Sequence, residues 1–531
     1  MRQIETMLLL ALVTACARGP RWTPETVAPP ASLQNALENA TRALAEERAS
    51  LPADEPTTVA LTRDGAILMA LARNRSLAVE RFSPRISATR IPEARAAFDP
   101  NLLATASYGR ESRPVVTIDT SGTEILSAST SRRADGNVTL SEFLPTGTEV
   151  FLSGGLSRSR ASLARPEYVG TWSVEVNQAL LRGFGPNVNL VSLRQARNSA
   201  AVSQHELRGF VIDLVQQVED AYWDLVLAYE TLRIRQFSVK LATEQLLLNE
   251  DFIKVGKLAR GAQFSAQSEL AARQADLVDA RAGVKARTVD LIRLLNPEAV
   301  AQWALTFDPA DAAEVAEVEL EPNLSTRLAD LYRPELAQSR LDLANRDLEV
   351  VRTRNGLLPR LDAFASYGRM STGRTFEAAK EYLDDSDFDN YGVGVTFEMA
   401  PFNRAERARH RRAKFEQQQS EVALQNLEQI IETEVRNAVI EAQRQKERTP
   451  ATQEEVRNRQ EELRVEQGRF EAGVSTNLDV LLVQRNLIQA QLDEITARVR
   501  FIQALTALYY AEGTLLDRRG VSAEVQVEQQ K

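Results

Sequence analysis

Cysteine, histidine, aromatic side chains and long apolar runs are all scarce in this chain of 531 residues, and each scarcity removes a class of function. With Cys16 as the one cysteine, no intrachain disulfide and no cysteine-based metal cluster can form. The two histidines, His205 and His410, stand far apart in helical sequence, where a solvated helix residue is expected rather than a metal ligand. Lys+Arg total 64 against 73 Asp+Glu, a net charge of -9, and every arginine cluster has acids interspersed, so no nucleic-acid partner is expected. Acids and serines are plentiful but form no constellation of nucleophile, base and orienting group, so neither an enzyme nor a bound cofactor is expected. Beyond the first turns of sequence, no apolar run approaches the roughly eighteen residues of a membrane-spanning helix. A membrane crossing would then require a closed β-barrel, because open backbone in lipid leaves its N–H and C=O groups unpaired.

What is present begins with "MRQIETMLLLALVTAC", a thin positive start, a short apolar run and small residues leading into cysteine, the pattern of an export signal over residues 1–15. "VTAC" resembles a bacterial lipobox, which implies cleavage before Cys16 and a lipid on its sulfur. The alternative is an ordinary signal peptide with an incidental cysteine. Ala17 resembles the sorting signal for the outer membrane.

The pentapeptide "ASYGR" occurs at 106–110 and again at 365–369, in the same phase of alternation. Leu102, Ala104, Ala106 and Tyr108 share one side of an extended strand, as do Leu361, Ala363, Ala365 and Tyr367. Partner strands follow, with Trp172, Val174 and Val176 in the first half and Tyr391, Val393, Val395 and Phe397 in the second. A helix of about 35 to 40 residues is expected before each strand region, and a far longer one after it. In the first long helix Leu207, Val211, Leu214, Val218, Ala221, Leu225, Ala228 and Leu232 step by alternating fours and threes, a coiled-coil seam. The helix nearest the C-terminus repeats the device from Val480 to Ala511, with Glu494 the one charged exception. Pro450 is expected to kink the second long helix. Each long helix ends at a matching turn, "FIKVGKLAR" (252–260) and "RFEAGVSTN" (469–477), whose Gly256 and Gly473 can take the left-handed conformation, with Ser475, Thr476 and Asn477 free to cap the returning helix. The plan is thus duplicated. The halves differ in one respect: the strand region 101–180 is much longer than 360–400. The extra "NVTLSEFLPTGTEVFLSGGLS" (137–157) reads as a hairpin turning at Pro145 to Gly147, expected as an elaborated extracellular loop, with additional barrel strands as the alternative.

Taken in order, "LTRDGAILMALARNRSLAVE" (61–80), "ARAAFDPNL" (94–102), "QALLRGFG" (178–185) and "FEAGVSTNLDVLLVQRNL" (470–487) resemble the TolC family of outer-membrane efflux channels. The resemblance implies a mainly α fold with a membrane β-barrel: a homotrimeric coiled-coil tunnel in the periplasm joined to one shared barrel. Its parts would be a lipidated segment 16–56, a first repeat 57–296, an equatorial connector 297–322, a second repeat 323–516 and a tail 517–531. The function implied is passive export through a tripartite efflux or type I secretion system, with a periplasmic adaptor, an inner-membrane pump and outer-membrane lipid as partners. Asp479 matches the position of a gate aspartate in the family, where three copies ring the pore and attract cations; Leu482 stands where some relatives carry a second acid, and Ala262 is the matching position in the first repeat. Val255, Gly256, Lys257, Leu258, Gly473, Val474 and Ser475 resemble the tips on which the adaptor docks. A reading of a different class is a lipid-anchored periplasmic coiled-coil scaffold or adaptor whose strands form a soluble β-domain.

Overall fold

The computed structural model describes residues 58–118, 120–162, 165–295, 306–313, 318–385 and 388–521. Cys16, the expected signal and lipidated segments, and much of the connector and tail lie outside the described residues. Two units are distinguished. One, Met1–Val59 with Ala299–Thr306, is described only at Thr58, Val59 and Thr306, and the architecture below is that of the other, Ala60–Glu298 with Phe307–Lys531.

After a short strand β1 (Thr58–Leu61), which pairs with β6 (Thr306–Pro309), the chain enters helices α1 (Arg63–Arg73), α2 (Arg75–Glu80) and α3 (Phe82–Arg95). The single helix expected here is broken, and Asn74 is the cause: extended at ψ 119, it closes α1 and its side chain accepts from the Leu77 amide at 2.9 Å to cap α2. The second half breaks likewise into α7 (Pro322–Tyr332) and α8 (Pro334–Gly356). Arg333 precedes a proline and is held at ψ 118, out of the helical region.

One antiparallel sheet follows the order β2 (Asn101–Ile118), β3 (Glu124–Leu144), β4 (Thr148–Ala161), β5 (Glu167–Ala179), β7 (Arg360–Gly373) and β8 (Asp389–Glu398). Partnered residues share a face, so the register carries the alternation across all six strands. Leu102, Leu140, Leu152, Val174, Tyr367 and Tyr391 form one continuous row, and Ala106, Gly136, Leu156, Gly170 and Ser371 another, on the apolar face. Asp135, Thr139, Ser153, Ser173, Glu175 and Thr396 lie on the opposite, polar one.

The segment expected as an extracellular loop is therefore corrected: it supplies β3 and β4, full members of the sheet. Its turn does fall at Pro145 to Gly147, with the Gly147 amide on the Leu144 carbonyl at 2.9 Å. That turn sits at the helical end of the sheet, not the far end. Asn189 donates to the Pro145 carbonyl at 3.0 Å and the Gly185 amide to the Thr146 carbonyl at 3.0 Å, tying the turn to the start of the long helix. Gly147 has φ +84, and a Cβ there would lie 2.3 Å from the Gly183 carbonyl oxygen, so glycine is required. The physical reason for the error is that periodicity reports faces but not which end of a sheet a turn occupies.

The sheet leads through a single turn, α4 (Pro186–Asn189), into α5 (Val191–Lys254), whose 64 residues extend about 96 Å at 1.5 Å each. Helix α6 (Gly261–Leu295) returns. In the second half a short helix, α9 (Phe376–Asp385), crosses between β7 and β8, and α10 (Arg404–Glu471) and α11 (Asn477–Ala511) repeat the hairpin. The two returning helices have equal length, 35 residues each. Helix α10 continues through Pro450. On α11 the seam is buried at each of its apolar positions, from Val480 at 0% to Ala511 at 5% exposed, and Glu494 is accommodated by an ion pair with Arg498 at 2.5 Å. On α5 the seam is buried at Leu207, Val211, Leu214, Val218 and Leu225 and half-buried at Ala221, Ala228 and Leu232. The halves are joined by Leu241, Leu463, Val483 and Leu487 from α5, α10 and α11. A second cluster unites Leu336 of α8 with Val435, Val439 and Leu508. Glu219 is fully buried within α5, held by Arg519 at 2.5 Å and by the Thr506 hydroxyl at 2.8 Å.

Candidate functional site: the paired hairpin ends

Both long helices stop the same way. Gly256 (φ 74) and Gly473 (φ 78) take the left-handed conformation, and the residue after each donates to a carbonyl five back: Lys257 to Phe252 at 2.8 Å, Val474 to Arg469 at 2.9 Å. No atom lies within 4 Å of a Cβ built on either glycine, so backbone conformation rather than packing selects the residue. The phenylalanines of the two turns meet, the Phe252 and Phe470 rings lying 5.5 Å apart and tilted by 35°, and Lys257 lies over the Phe252 ring at 5.6 Å. The two turns, far apart in sequence, thus form one end.

The positions expected as tips are gathered there. Val255 and Val474 are each 67% exposed, Gly256, Lys257 and Gly473 are exposed, and Leu258 and Ser475 are half-buried. Ser475 donates to the Glu466 carboxylate. Thr476 caps α11 in a reciprocal box: the Asp479 amide donates to its hydroxyl oxygen at 3.3 Å, while the Thr476 amide and hydroxyl donate to Asp479 Oδ2 at 3.2 and 2.6 Å. The Thr476 hydroxyl bond holds the Asp479 carboxyl below its ordinary value of 3.8, so it is ionised at neutral pH. Asp479 is exposed, and so is Leu482 one turn on.

Behind this end lies a polar network that the sequence reading missed. Asn477, 6% exposed, accepts from Asn249 at 2.8 Å and from Gln245 at 3.3 Å, and donates to Ser265 at 3.1 Å, so one residue of the second hairpin is tied to both helices of the first. Further along, the Glu269 carboxylate of α6 accepts from Arg273 at 2.5 Å and from both Nε and Nη2 of Arg485 on α11. Arg485, first, and Arg273 hold that carboxyl below its ordinary 4.5 against the opposing pull of burial. A signal for half of this existed: Gln245 and Asn249, at i and i+4, interrupt an apolar helix face. Their partners have no sequence signature, because the pairing crosses between repeats.

An antiparallel sheet with one apolar face is thus mounted on two helical hairpins of one plan. A family model described as outer membrane efflux protein matches residues 128–297 and 327–514, one stretch in each half. The chain belongs to that family, which makes it an outer-membrane protein and not an enzyme. It is 26% identical over 404 residues to the pyoverdine export outer membrane protein OpmQ of Pseudomonas aeruginosa, covering 70% of this chain and 79% of OpmQ. To the proteases secretion protein PrtF of Dickeya chrysanthemi it is 24% identical over 308 residues, 57% of this chain; that match spans 64% of PrtF, just under two thirds. The fold is similar to that of the outer membrane protein VceC of Vibrio cholerae, with TM-score 0.61 and 16% identity over 85% of this chain and 96% of that one.

Proposed function

We propose that the protein is the passive outer-membrane exit duct of a tripartite efflux or type I secretion system, working as a homotrimer with a periplasmic adaptor and an energy-supplying inner-membrane pump. The observation that carries this reading is the six-stranded sheet whose two edges are open among the described residues: there β2 pairs only with β3, and β8 only with β7. An 18-residue edge strand with an apolar face is untenable in lipid unless another chain pairs with it. Three copies supply eighteen strands, which at about 4.8 Å spacing and about 40° tilt close a barrel about 36 Å across between backbones, wide enough for an aqueous bore lined by the polar face. The helical hairpins would continue that bore into the periplasm, with residues 297–322 and the C-terminal tail as a belt around the tunnel and a lipid on Cys16 as an anchor.

The hairpin ends are the gate in this reading. Asp479 would form a ring of three carboxylates at the closed end, in addition to capping its own helix. The turns at Val255 to Leu258 and Gly473 to Ser475 would receive the adaptor, their exposed valines giving it apolar contact. The similarity to proteins named for protease secretion and for pyoverdine export supports export as such rather than one cargo. The test is reconstitution of the detergent-purified protein in a planar bilayer: heat-resistant trimers giving stepwise currents are expected, whereas a stable monomer in water without detergent, the behaviour of a periplasmic scaffold, would refute it.

A further inference from the structure

The apolar face of the sheet does not end in neutral residues. The register sets Arg110 opposite Arg132 and Arg132 opposite Arg160, three arginines in one row across β2, β3 and β4. Arg158 stands on the same face, two residues before Arg160, with its guanidinium 5.5 Å from the centre of the Tyr168 ring. All four are exposed, and none makes an ion pair among the described residues. The acids of this region are on the other face, where Glu111 pairs with Arg113, Asp135 with Arg133, and Glu167 accepts from Thr372. On the arginine face of these strands the next acid, Glu124, lies beyond the row, opposite Ile118. Like charges directly opposite on neighbouring strands repel and destabilise the pairing, so this row is unfavourable unless an anion bridges it.

The height of the row says where that anion would be. Arg110 follows the foot of the apolar face at Leu102 along one strand, which at about 3.4 Å per residue and about 40° tilt raises it by about 21 Å. An outward apolar band is about 25 Å tall and closes on an aromatic girdle, and here Tyr108 and Tyr168 share a register row with Arg158, one same-face step below Arg110, Arg132 and Arg160. Given the outer-membrane orientation of the proposed duct, on which this inference rests, the row lies at the head-group level of the outer leaflet.

We propose that Arg110, Arg132, Arg158 and Arg160 form a lipid-facing site for phosphorylated glycolipid head groups of that leaflet, with phosphate groups bridging adjacent guanidinium pairs. Three such sites would surround the trimer. Arginine suits the task, since its planar fork binds phosphate oxygens bidentately and its stem packs against acyl chains.

The experiment uses full-length trimers that already give stepwise currents, so that failure of the channel reading and failure of this one are separated. Retention of bisphosphorylated lipid A is measured by native mass spectrometry and compared with phosphatidylethanolamine, for the wild type and for Arg132→Gln/Arg160→Gln. Loss of two surface charges per site should weaken lipid A retention about thirtyfold, with conductance and trimer stability unchanged and phosphatidylethanolamine retention unaffected. Should the double variant assemble poorly, Arg160→Gln alone serves, with about a fivefold loss. Equal retention of lipid A by wild type and variant would overturn the proposal. So would complete displacement of lipid A by millimolar inorganic pyrophosphate, which would identify a site for free phosphates instead.

Discussion

If the hairpin ends are the gate proposed above, breaking the bond between Arg485 and Glu269 should open it. The two groups join α11 of the second hairpin to α6 of the first, and the carboxylate is 6% exposed while the arginine is 57% exposed. A hydrogen bond to a charged group contributes about 1.5–3 kcal/mol, and exposure of one partner reduces this to about 1–2 kcal/mol. If three hairpin pairs open together, Arg485→Ala favours the open state by about 3–6 kcal/mol, a factor of roughly 10² to 10⁴. Arg273 stays in place to satisfy Glu269, at 2.5 Å, so the fold is retained. The assay is open probability in a planar bilayer at low ionic strength, where screening is weakest. The pH dependence follows from the sign of the shift. The Glu269 carboxyl is held below its ordinary 4.5, so the link is fully present above that pH and is lost only as pH falls through the still lower folded value. Wild-type channels should therefore stay shut on acidification down to the ordinary carboxylate value of 4.5 and leak only as pH falls through the lower folded value, whereas the variant should leak already at neutral pH. An open probability in Arg485→Ala equal to that of the wild type at neutral pH would refute the reasoning.

Further outcomes are expected. Gly473→Trp should leave trimers intact and abolish transport, because φ 78 strains any side chain and the indole projects where an adaptor would dock; unchanged export would argue against docking at the tips. Asp479→Ala should raise single-channel current if the carboxylate helps hold the end shut, and current unchanged within error would leave it only its capping role. Gly147→Val should cost at least about 2 kcal/mol through its positive φ and clash, read as a reduced yield of heat-resistant trimers. Asp220, pushed up to about 6 by burial and then by Asp224 and Glu219, binds its proton more tightly folded than unfolded. Stability should therefore fall as pH rises from about 4 to 6, a trend visible in denaturant midpoints, and Asp220→Asn should flatten it.

How much of this was legible depends on the range over which each feature is encoded. The α11 seam was read correctly at every apolar position because a heptad is a local pattern whose burial follows from any neighbour of matching period. The glycine turns were equally local: a left-handed residue followed by capping side chains announces itself within ten residues. Asn74 had its signal too, an N-cap inside a helical stretch, yet the apolar periodicity on either side masked it. Helix α9 is spelled by Phe376, Ala379 and Leu383 at helical spacing, but its place is fixed by Ser371 donating to the Ala379 carbonyl at 2.5 Å across the sheet surface. That contact has no local trace.

The sequence by itself determined that this chain is built twice over from helices, strands and left-handed turns, and that its strands have one apolar and one polar side, since periodicity and glycine conformation are properties of neighbouring residues. Only the tertiary structure decided that the extra hairpin is sheet rather than loop, that Phe252 meets Phe470, that Asn477 and Arg485 tie the second hairpin to the first, and that three arginines distant in sequence stand in one row. These depend on register and on packing between repeats, and register is set by the sum of many weak cross-strand and interhelical contacts that no single stretch of residues contains.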